Sequence, residues 1–389
     1  MRIELKYGCN PNQKNAYVES KGDMPLSVLN GRPGYINLMD ALNGYQLVSE
    51  LKKATGLSAA ASFKHVSPAG AAVAIPLNET ERKMYFVSPK TVLTPLATAY
   101  IRARGADRMA SFGDFVSLSD ECDACTATVI SHEVSDGVIA PGYTAEALEI
   151  LKSKKGGSYL VLQIDPSYVP ESQCERKTIF GLDLVQDHNA WIPDENTFSD
   201  IRSGKRDLPS QAALDLIVAL ISLKYTQSNS VCYAQNGQTI GVGAGQQSRI
   251  ACTRLAGSKA DLWHLRQSPK VLGLTFPKGK TRNEKDNIIE QYLADDPETD
   301  VVENWKDYFE TKPERFTPDE KKAYLASVKG ASLASDGFFP FRDNIDRAAK
   351  SGVLYVAEPG GSSRDEDIIA SADEHGMTLI FTGFRLFHH

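Results

Sequence analysis

Ala59-Ala60-Ala61-Ser62-Phe63-Lys64-His65-Val66-Ser67-Pro68-Ala69-Gly70 sets a small, apolar run directly against two ionisable side chains. Ala59 to Phe63 has the length and composition of a buried strand. Ser67, Pro68 and Gly70 are turn formers, so Lys64 and His65 stand where a strand stops and a turn begins. Neighbours on a continuing strand point to opposite faces, whereas a turn forced by Pro68 and Gly70 would aim both side chains into one cavity. The Lys64 ammonium would then disfavour the imidazolium and leave His65 neutral near pH 7, able to accept a proton. A salt-bridged lysine beside a core histidine is the structural alternative.

Outward from this stretch, helices and strands alternate. Asn37 to Ala54 carries Leu38, Leu42, Tyr45, Val48 and Leu51 at helical spacing, with Asn37 as cap and Gly56 as stop. Thr94-Pro95 reads as a cap and first helical residue of a helix running to about Arg104. Ala127–Ile130 is expected as a strand, Asp136-Gly137 as a turn, Ala145–Lys154 as a helix and Tyr159–Ile164 as a strand. Residues 166–206 are richer in Pro, Ser, Asp and Asn and are expected to connect two α/β units, 1–165 and 207–389. In the second unit a helix from Pro209-Ser210 precedes a strand at Ser230–Ala234. Asn236-Gly237 then gives a hairpin signal, and a returning strand covers Thr239–Val242. A charged helical insertion is expected at about 255–330, and Val353–Ala357, Ser363–Glu374 and Thr378–Phe381 complete the alternation.

The composition is that of an ordinary globular chain: 389 residues, 42% hydrophobic and 24% charged. A net charge of -6 argues against a generic nucleic-acid or anionic-membrane binder. No apolar run is long enough to span a bilayer, and Met1-Arg2-Ile3-Glu4-Leu5-Lys6-Tyr7 has no signal-peptide core, so a cytoplasmic location is expected. Six cysteines in so long a chain make no disulfide framework. Cys122-Asp123-Ala124-Cys125 lacks a second ligand pair, and His132-Glu133 follows it instead of preceding it, so the zinc-deaminase pattern fails and no metal site is expected.

Further segments could carry chemistry. Lys6-Tyr7-Gly8-Cys9-Asn10-Pro11-Asn12-Gln13 is a polar loop in which Asn10 and Gln13 could offer amides to a ligand, or simply make a surface turn. Tyr225-Thr226-Gln227-Ser228-Asn229-Ser230 is a polar leader to a buried strand. Gly243-Ala244-Gly245-Gln246-Gln247-Ser248-Arg249 is neither a dinucleotide fingerprint nor a P-loop, yet offers backbone N–H groups and an arginine to an anion. Phe338-Phe339-Pro340-Phe341-Arg342-Asp343-Asn344 joins an aromatic wall to charged and amide groups, which suits a stacked heterocycle or, equally, core packing with a helix cap.

These motifs, with Ser111-Phe112-Gly113-Asp114-Phe115 and the terminal Arg385-Leu386-Phe387-His388-His389, resemble in order the AICAR transformylase family of purine biosynthesis. The resemblance covers essentially the whole chain. It implies two tandem cytidine-deaminase-like α/β units without catalytic zinc, the second with the helical insertion, and a homodimer whose sites are shared between subunits. It implies formyl transfer from the co-substrate 10-formyltetrahydrofolate to the 5-amino group of AICAR, with no metal in the chemistry. His65 would accept the proton, Lys64 would hold the oxyanion, and Asn229 would complete the catalytic set. Lys6, Tyr7, Gly113, Asp136, Arg249, Phe338 and Arg385 would surround AICAR. Ile250, Asp343, Asn344, Ser362 and Ser363 would face the folate. Lys6 and Asn12 stand where the family commonly has Arg and His, and Lys lacks the planar fork of Arg. The family usually carries an N-terminal IMP cyclohydrolase domain; the resemblance implies a stand-alone transformylase without it, for which a separate cyclohydrolase could be a partner. A catalytically impaired AICAR- or folate-binding sensor is the alternative from another class.

Overall fold

The computed structural model describes residues 2–20, 22–170 and 174–389. Met1 of the opening motif and residues 171–173 of the expected connection lie outside the described residues.

A short ribbon of β1 (Arg2–Glu4) and β2 (Tyr17–Glu19) precedes edge strand β3 (Leu26–Asn30). Then come α1 (Tyr35–Thr55), the hairpin β4 (Ala59–Lys64) and β5 (Ser67–Val73), and two helices, α2 (Glu79–Met84) and α3 (Pro95–Gly105). Strands β6 (Asp114–Leu118), β7 (Ser135–Ala140) and β8 (Leu160–Ile164) alternate with α4 (Ala124–Ser131) and α5 (Ala145–Ser153). An antiparallel arm of β9 (Cys174–Ile179) and β10 (Leu182–Asp187) lies in the connection.

The same order then repeats. Helix α6 (Ser210–Lys224) leads to the hairpin β11 (Val231–Gln235) and β12 (Gln238–Gly243), then to α7 (Arg249–Leu265). After α8 (Pro269–Leu272), α9 (Arg282–Leu293) and α10 (Pro318–Ser327), strands β13 (Ala331–Ser335), β14 (Val353–Glu358) and β15 (Thr378–Phe381) alternate with α11 (Asp343–Lys350) and α12 (Asp365–Glu374).

Eleven strands form one sheet in the order β15-β14-β13-β11-β12-β5-β4-β6-β7-β8-β3. In each half the first hairpin strand pairs antiparallel with the first of three parallel strands: β4 with β6, and β11 with β13. The halves meet where β12 pairs antiparallel with β5, at Gln238 and Ala72. Buried Arg102 pins this seam, donating to Glu81 (2.8 Å), to Gln238 Oε1 (2.7 Å) and to the Ile75 carbonyl (2.7 Å). Core side chains fill both faces: Leu47, Leu51 and Phe63 on one, Tyr100, Val116 and Ile130 on the other in the first half.

Close approach of helix to sheet explains two glycines. A Cβ on Gly70 would collide with the Ala103 carbonyl in α3, and one on Gly241 would collide with the Ala256 carbonyl in α7. Gly70 therefore serves strand packing. The turn lies instead at His65-Val66, and Pro68 and Gly70 both belong to β5.

Other expectations need correction. Ala127–Ile130 lies in helix α4, where Asp123 caps by accepting from the Thr126 N–H at 2.7 Å. Asp136-Gly137 lies inside strand β7, paired with β6 and β8, and its glycine is required because a Cβ there would lie 2.6 Å from the Phe115 ring. The N-cap of α1 is Gly34, while Asn37 reaches back to accept from its N–H at 2.9 Å. Helix α7 packs on β12 as part of the second half's framework, so the added helices begin after it. Helix α12 starts at Asp365 and not at Ser363.

Candidate active site

The β4–β5 hairpin closes through two residues, His65 and Val66, with φ of 54° and 62°. Hairpin turns with two positive φ values favour Asn and Gly, and β-branched valine suits them badly. Such backbone costs about 1–3 kcal/mol per residue unless its surroundings over-determine it. Here Asp40 of α1 supplies the constraint: its carboxylate accepts from the Val66 N–H at 2.7 Å. Asp40 is buried, and desolvation raises its pKa from 3.8 to about 6; the Val66 N–H and nearby His65 pull the other way.

The second half repeats this device with different residues. Asn236-Gly237 turns with φ of 55° and 73°, and Asp215 of α6 accepts from the Gly237 N–H at 2.6 Å and the Asn236 N–H at 3.2 Å. Burial likewise raises Asp215 to about 6. One turn carries the residues its geometry prefers. The other carries a histidine and a valine on the same scaffold, and the histidine is exposed. Asp40 was not singled out from the sequence. The available signal was a carboxylate interrupting the apolar stripe of Leu38, Ala41 and Leu47.

Lys64 precedes the turn, and its ammonium donates to the Phe112 carbonyl. It faces Gly113, where a Cβ would lie 3.9 Å from Nζ. Gly113 has φ of 76° and donates to the Val134 carbonyl at 2.9 Å. Next to it, buried Asp114 accepts from Ser62 Oγ and from Arg104, both at 2.7 Å, which fixes this loop to β4. Asp136 extends from β7, pairs with Lys155 at 2.8 Å, and is near enough to Asp40 to raise its pKa. His65 and Asp136 thus lie beside Asp40, and Lys64 lies beside Gly113.

A second cluster gathers the motifs of the other half. Arg249 is buried at the start of α7; it pairs with Asp336 and donates to Asn229 Oδ1 at 3.0 Å and to the Ser230 carbonyl at 2.9 Å. Asp336 also accepts from Ser228 Oγ (2.6 Å) and from the Ser230 N–H (2.9 Å). The C-terminal segment joins through Leu386 N–H to the Asp336 carbonyl (2.9 Å) and His388 N–H to Ser228 Oγ (3.0 Å). Exposed Phe338 follows Gly337, and Arg385 lies over the Phe387 ring at 4.6 Å. The two clusters touch where the Gln227 N–H donates to Ser67 Oγ at 3.3 Å, two residues from His65 and two from Asn229.

The remaining candidates are dispersed. Ile250 adjoins Arg249. Asn344 is buried, accepting from Thr253 Oγ1 at 2.7 Å and donating to Asp343 at 3.0 Å, so its amide is already engaged. Ser362 caps the loop before α12, its N–H donating to Asp365 at 3.0 Å, with Ser363 exposed beside it. Lys6 and Tyr7 dock on the N-terminus of α1 through the Pro33 carbonyl (2.9 Å) and the Tyr35 N–H (3.2 Å). Asn10 and Gln13 hydrogen-bond each other at 2.9 Å. A cavity of 420 Å³ lined by Phe86, Phe276 and Lys285 includes none of these residues. Among the described residues no group of three or more His, Cys, Asp or Glu side chains is arranged to hold a metal ion.

Residues 1–259 match the family model described as the AICARFT/IMPCHase bienzyme. This chain belongs to that family. Over 391 aligned positions it is 30% identical to the bifunctional purine biosynthesis protein PurH of two strains of Cereibacter sphaeroides, covering 99% of the chain. It spans 59% of the length of these relatives. Among the described residues no helix is long and apolar enough to cross a membrane.

Proposed function

We propose that this family member acts in purine biosynthesis as an AICAR transformylase, moving the formyl group of 10-formyltetrahydrofolate to the 5-amino group of AICAR. The supporting observation is the Lys64-His65 pair, presented on a strained turn that buried Asp40 holds in place. An amine conjugated to an imidazole carboxamide is a poor nucleophile, so its proton must leave as the C–N bond forms. His65 accepts that proton. Lys64 leaves the Phe112 carbonyl and turns its ammonium to the formyl oxygen, where negative charge develops. The bond to the folate nitrogen then breaks and that nitrogen takes a proton, giving FAICAR and tetrahydrofolate. Asn229 and Arg249 orient the AICAR amide and imidazole side, Tyr7, Gly113, Asp136 and Phe338 line the nucleotide, and Arg385 faces its phosphate. Exposed Phe338 and Phe341 offer flat surfaces to a pterin beside Ile250, Asp343, Ser362 and Ser363, while buried Asn344 holds Asp343 and the Phe341 carbonyl. The repeated strand order supports two tandem cytidine-deaminase-like units, and the site's open, aromatic rim supports completion by a second subunit in a homodimer.

Purified protein incubated with AICAR and 10-formyltetrahydrofolate is expected to release tetrahydrofolate. His65→Ala is expected to abolish turnover with modest loss of AICAR affinity. Unchanged kcat in His65→Ala removes His65 from this role. AICAR binding with no turnover in the unmodified protein replaces the enzyme by a nucleotide sensor.

A further inference from the structure

Arg385 stands in a stretch of backbone that is held at both ends. The Gly383 N–H donates to the Pro359 carbonyl at 3.2 Å, and the Leu386 N–H donates to the Asp336 carbonyl at 2.9 Å. Between them the backbone of Phe384 bonds only to nearby Thr382, donating to Oγ1 at 3.3 Å and accepting from the same hydroxyl at 3.4 Å. Arg385 is exposed and, among the described residues, has no hydrogen bond and no carboxylate partner; its guanidinium lies over the Phe387 ring at 4.6 Å. Phe387 in turn adjoins Gly337, where a Cβ would lie 2.9 Å from its ring.

A contact from the connection steadies this stretch. Trp191 stacks on Phe384, with ring centroids 4.6 Å apart and planes at 21°. The Trp191 carbonyl accepts from the buried Lys224 ammonium at 2.7 Å, and that ammonium also holds both carboxylate oxygens of Glu50 in α1 at 2.7 Å. Such an anchor resists movement, because losing a partner leaves a desolvated charge. Lys224 ends α6, directly before the 225–230 leader. Trp191 also packs against the apolar cluster that contains Leu220, Ile380 and Leu386. An arginine on a loose segment must be ordered when a phosphate binds, and one held beforehand avoids that cost. We propose that Trp191 is a positioning residue whose ring clamps Phe384 and so holds Arg385 in place for the AICAR phosphate. The inference rests on the proposed function for its ligand, while the clamp itself rests on the stack and its anchor.

The test is titration calorimetry of the full chain with AICAR and with its unphosphorylated nucleoside. Arg385→Ala should weaken AICAR binding about ten- to a hundredfold and leave the nucleoside unchanged. Trp191→Ala should weaken AICAR binding about three- to tenfold, again with the nucleoside unchanged, and Trp191→Phe, which keeps a ring to stack, should restore most of the loss. Added to Arg385→Ala, Trp191→Ala should cost nothing further, because the clamp acts only through Arg385. Phe384→Ala removes the other half of the stack at an exposed position and should reproduce the selective loss even where Trp191→Ala does not fold. Equal losses for nucleotide and nucleoside in the stack variants, or an undiminished loss in the Arg385→Ala background, would make Trp191 a structural residue and overturn the clamp. Unchanged AICAR affinity in both stack variants, with selective loss in Arg385→Ala, also overturns the clamp but leaves Arg385 on the phosphate. If Arg385→Ala keeps the full preference for the nucleotide, the phosphate role of Arg385 fails, and the clamp with it.

Discussion

Asp40→Asn tests the support of the His65-Val66 turn quantitatively. In the native protein the Asp40 pKa is raised from 3.8 to about 6, so between those values the folded chain binds more protons than the unfolded one. Stability contributed by this group is therefore greatest at acid pH and is lost as pH rises, with the full penalty reached above about 6. The shift corresponds to about 3 kcal/mol, of which about 1.4 kcal/mol develops between pH 5 and pH 8. Asparagine keeps an oxygen to accept from the Val66 N–H and removes the titration. The stability of Asp40→Asn relative to the unmodified protein should therefore improve by about 1.4 kcal/mol from pH 5 to pH 8 in urea unfolding. Asp215→Asn is the matched control, since Asp215 is also raised to about 6 under the Asn236-Gly237 turn. Both variants should show the same pH signature, but only Asp40→Asn should reduce formyl transfer, because only its turn carries His65. A stability difference that does not change with pH in Asp40→Asn would refute the buried, titrating carboxylate. An equal loss of turnover in both variants would refute the assignment of the first turn to the chemistry.

Other substitutions probe the remaining parts. Lys64→Met should lower kcat by about a hundredfold with little change in AICAR affinity by titration calorimetry, as for loss of one oxyanion donor; a loss confined to affinity would make Lys64 a binding residue. Asp336→Ala leaves the Arg249 guanidinium buried and unpaired, and should cost about 3–5 kcal/mol in urea unfolding. An effect below about 1 kcal/mol would mean that the pair is solvated. Gly241→Ala should cost about 1–3 kcal/mol by overpacking against the Ala256 carbonyl, and an unchanged midpoint would show that α7 can move off β12.

Much of this architecture was legible in the sequence because local chemistry and tertiary demand agree there. Thr94-Pro95 caps α3 as read, with Thr94 Oγ1 accepting from the Ala97 N–H at 3.3 Å, and Asn236-Gly237 makes the hairpin it signals. The misreadings have a shared cause. Ala127–Ile130 is rich in β-branched residues, yet the Asp123 cap and packing on the sheet make it helical. Asp136-Gly137 has turn composition, but its glycine is there for the Phe115 ring. The Lys64-His65 pair was visible as chemistry, whereas its mounting was not. The left-handed His65-Val66 backbone violates residue preference, and the carboxylate that enforces it lies 26 positions away. Asn229 and Arg249 stood out by local chemistry and took their roles from the family resemblance; the fold explains their proximity, since the β11 leader and the start of α7 share Asp336.

The two hairpins give this chain an internal yardstick. One turn is written in the residues its backbone prefers, and the other in residues it tolerates only under duress, while helix, carboxylate and strands around them correspond. Transplanting Asn-Gly into positions 65 and 66 would reset the first turn to the ease of the second. The gain in folding free energy would measure, within one molecule, how far reactivity has been allowed to displace comfort.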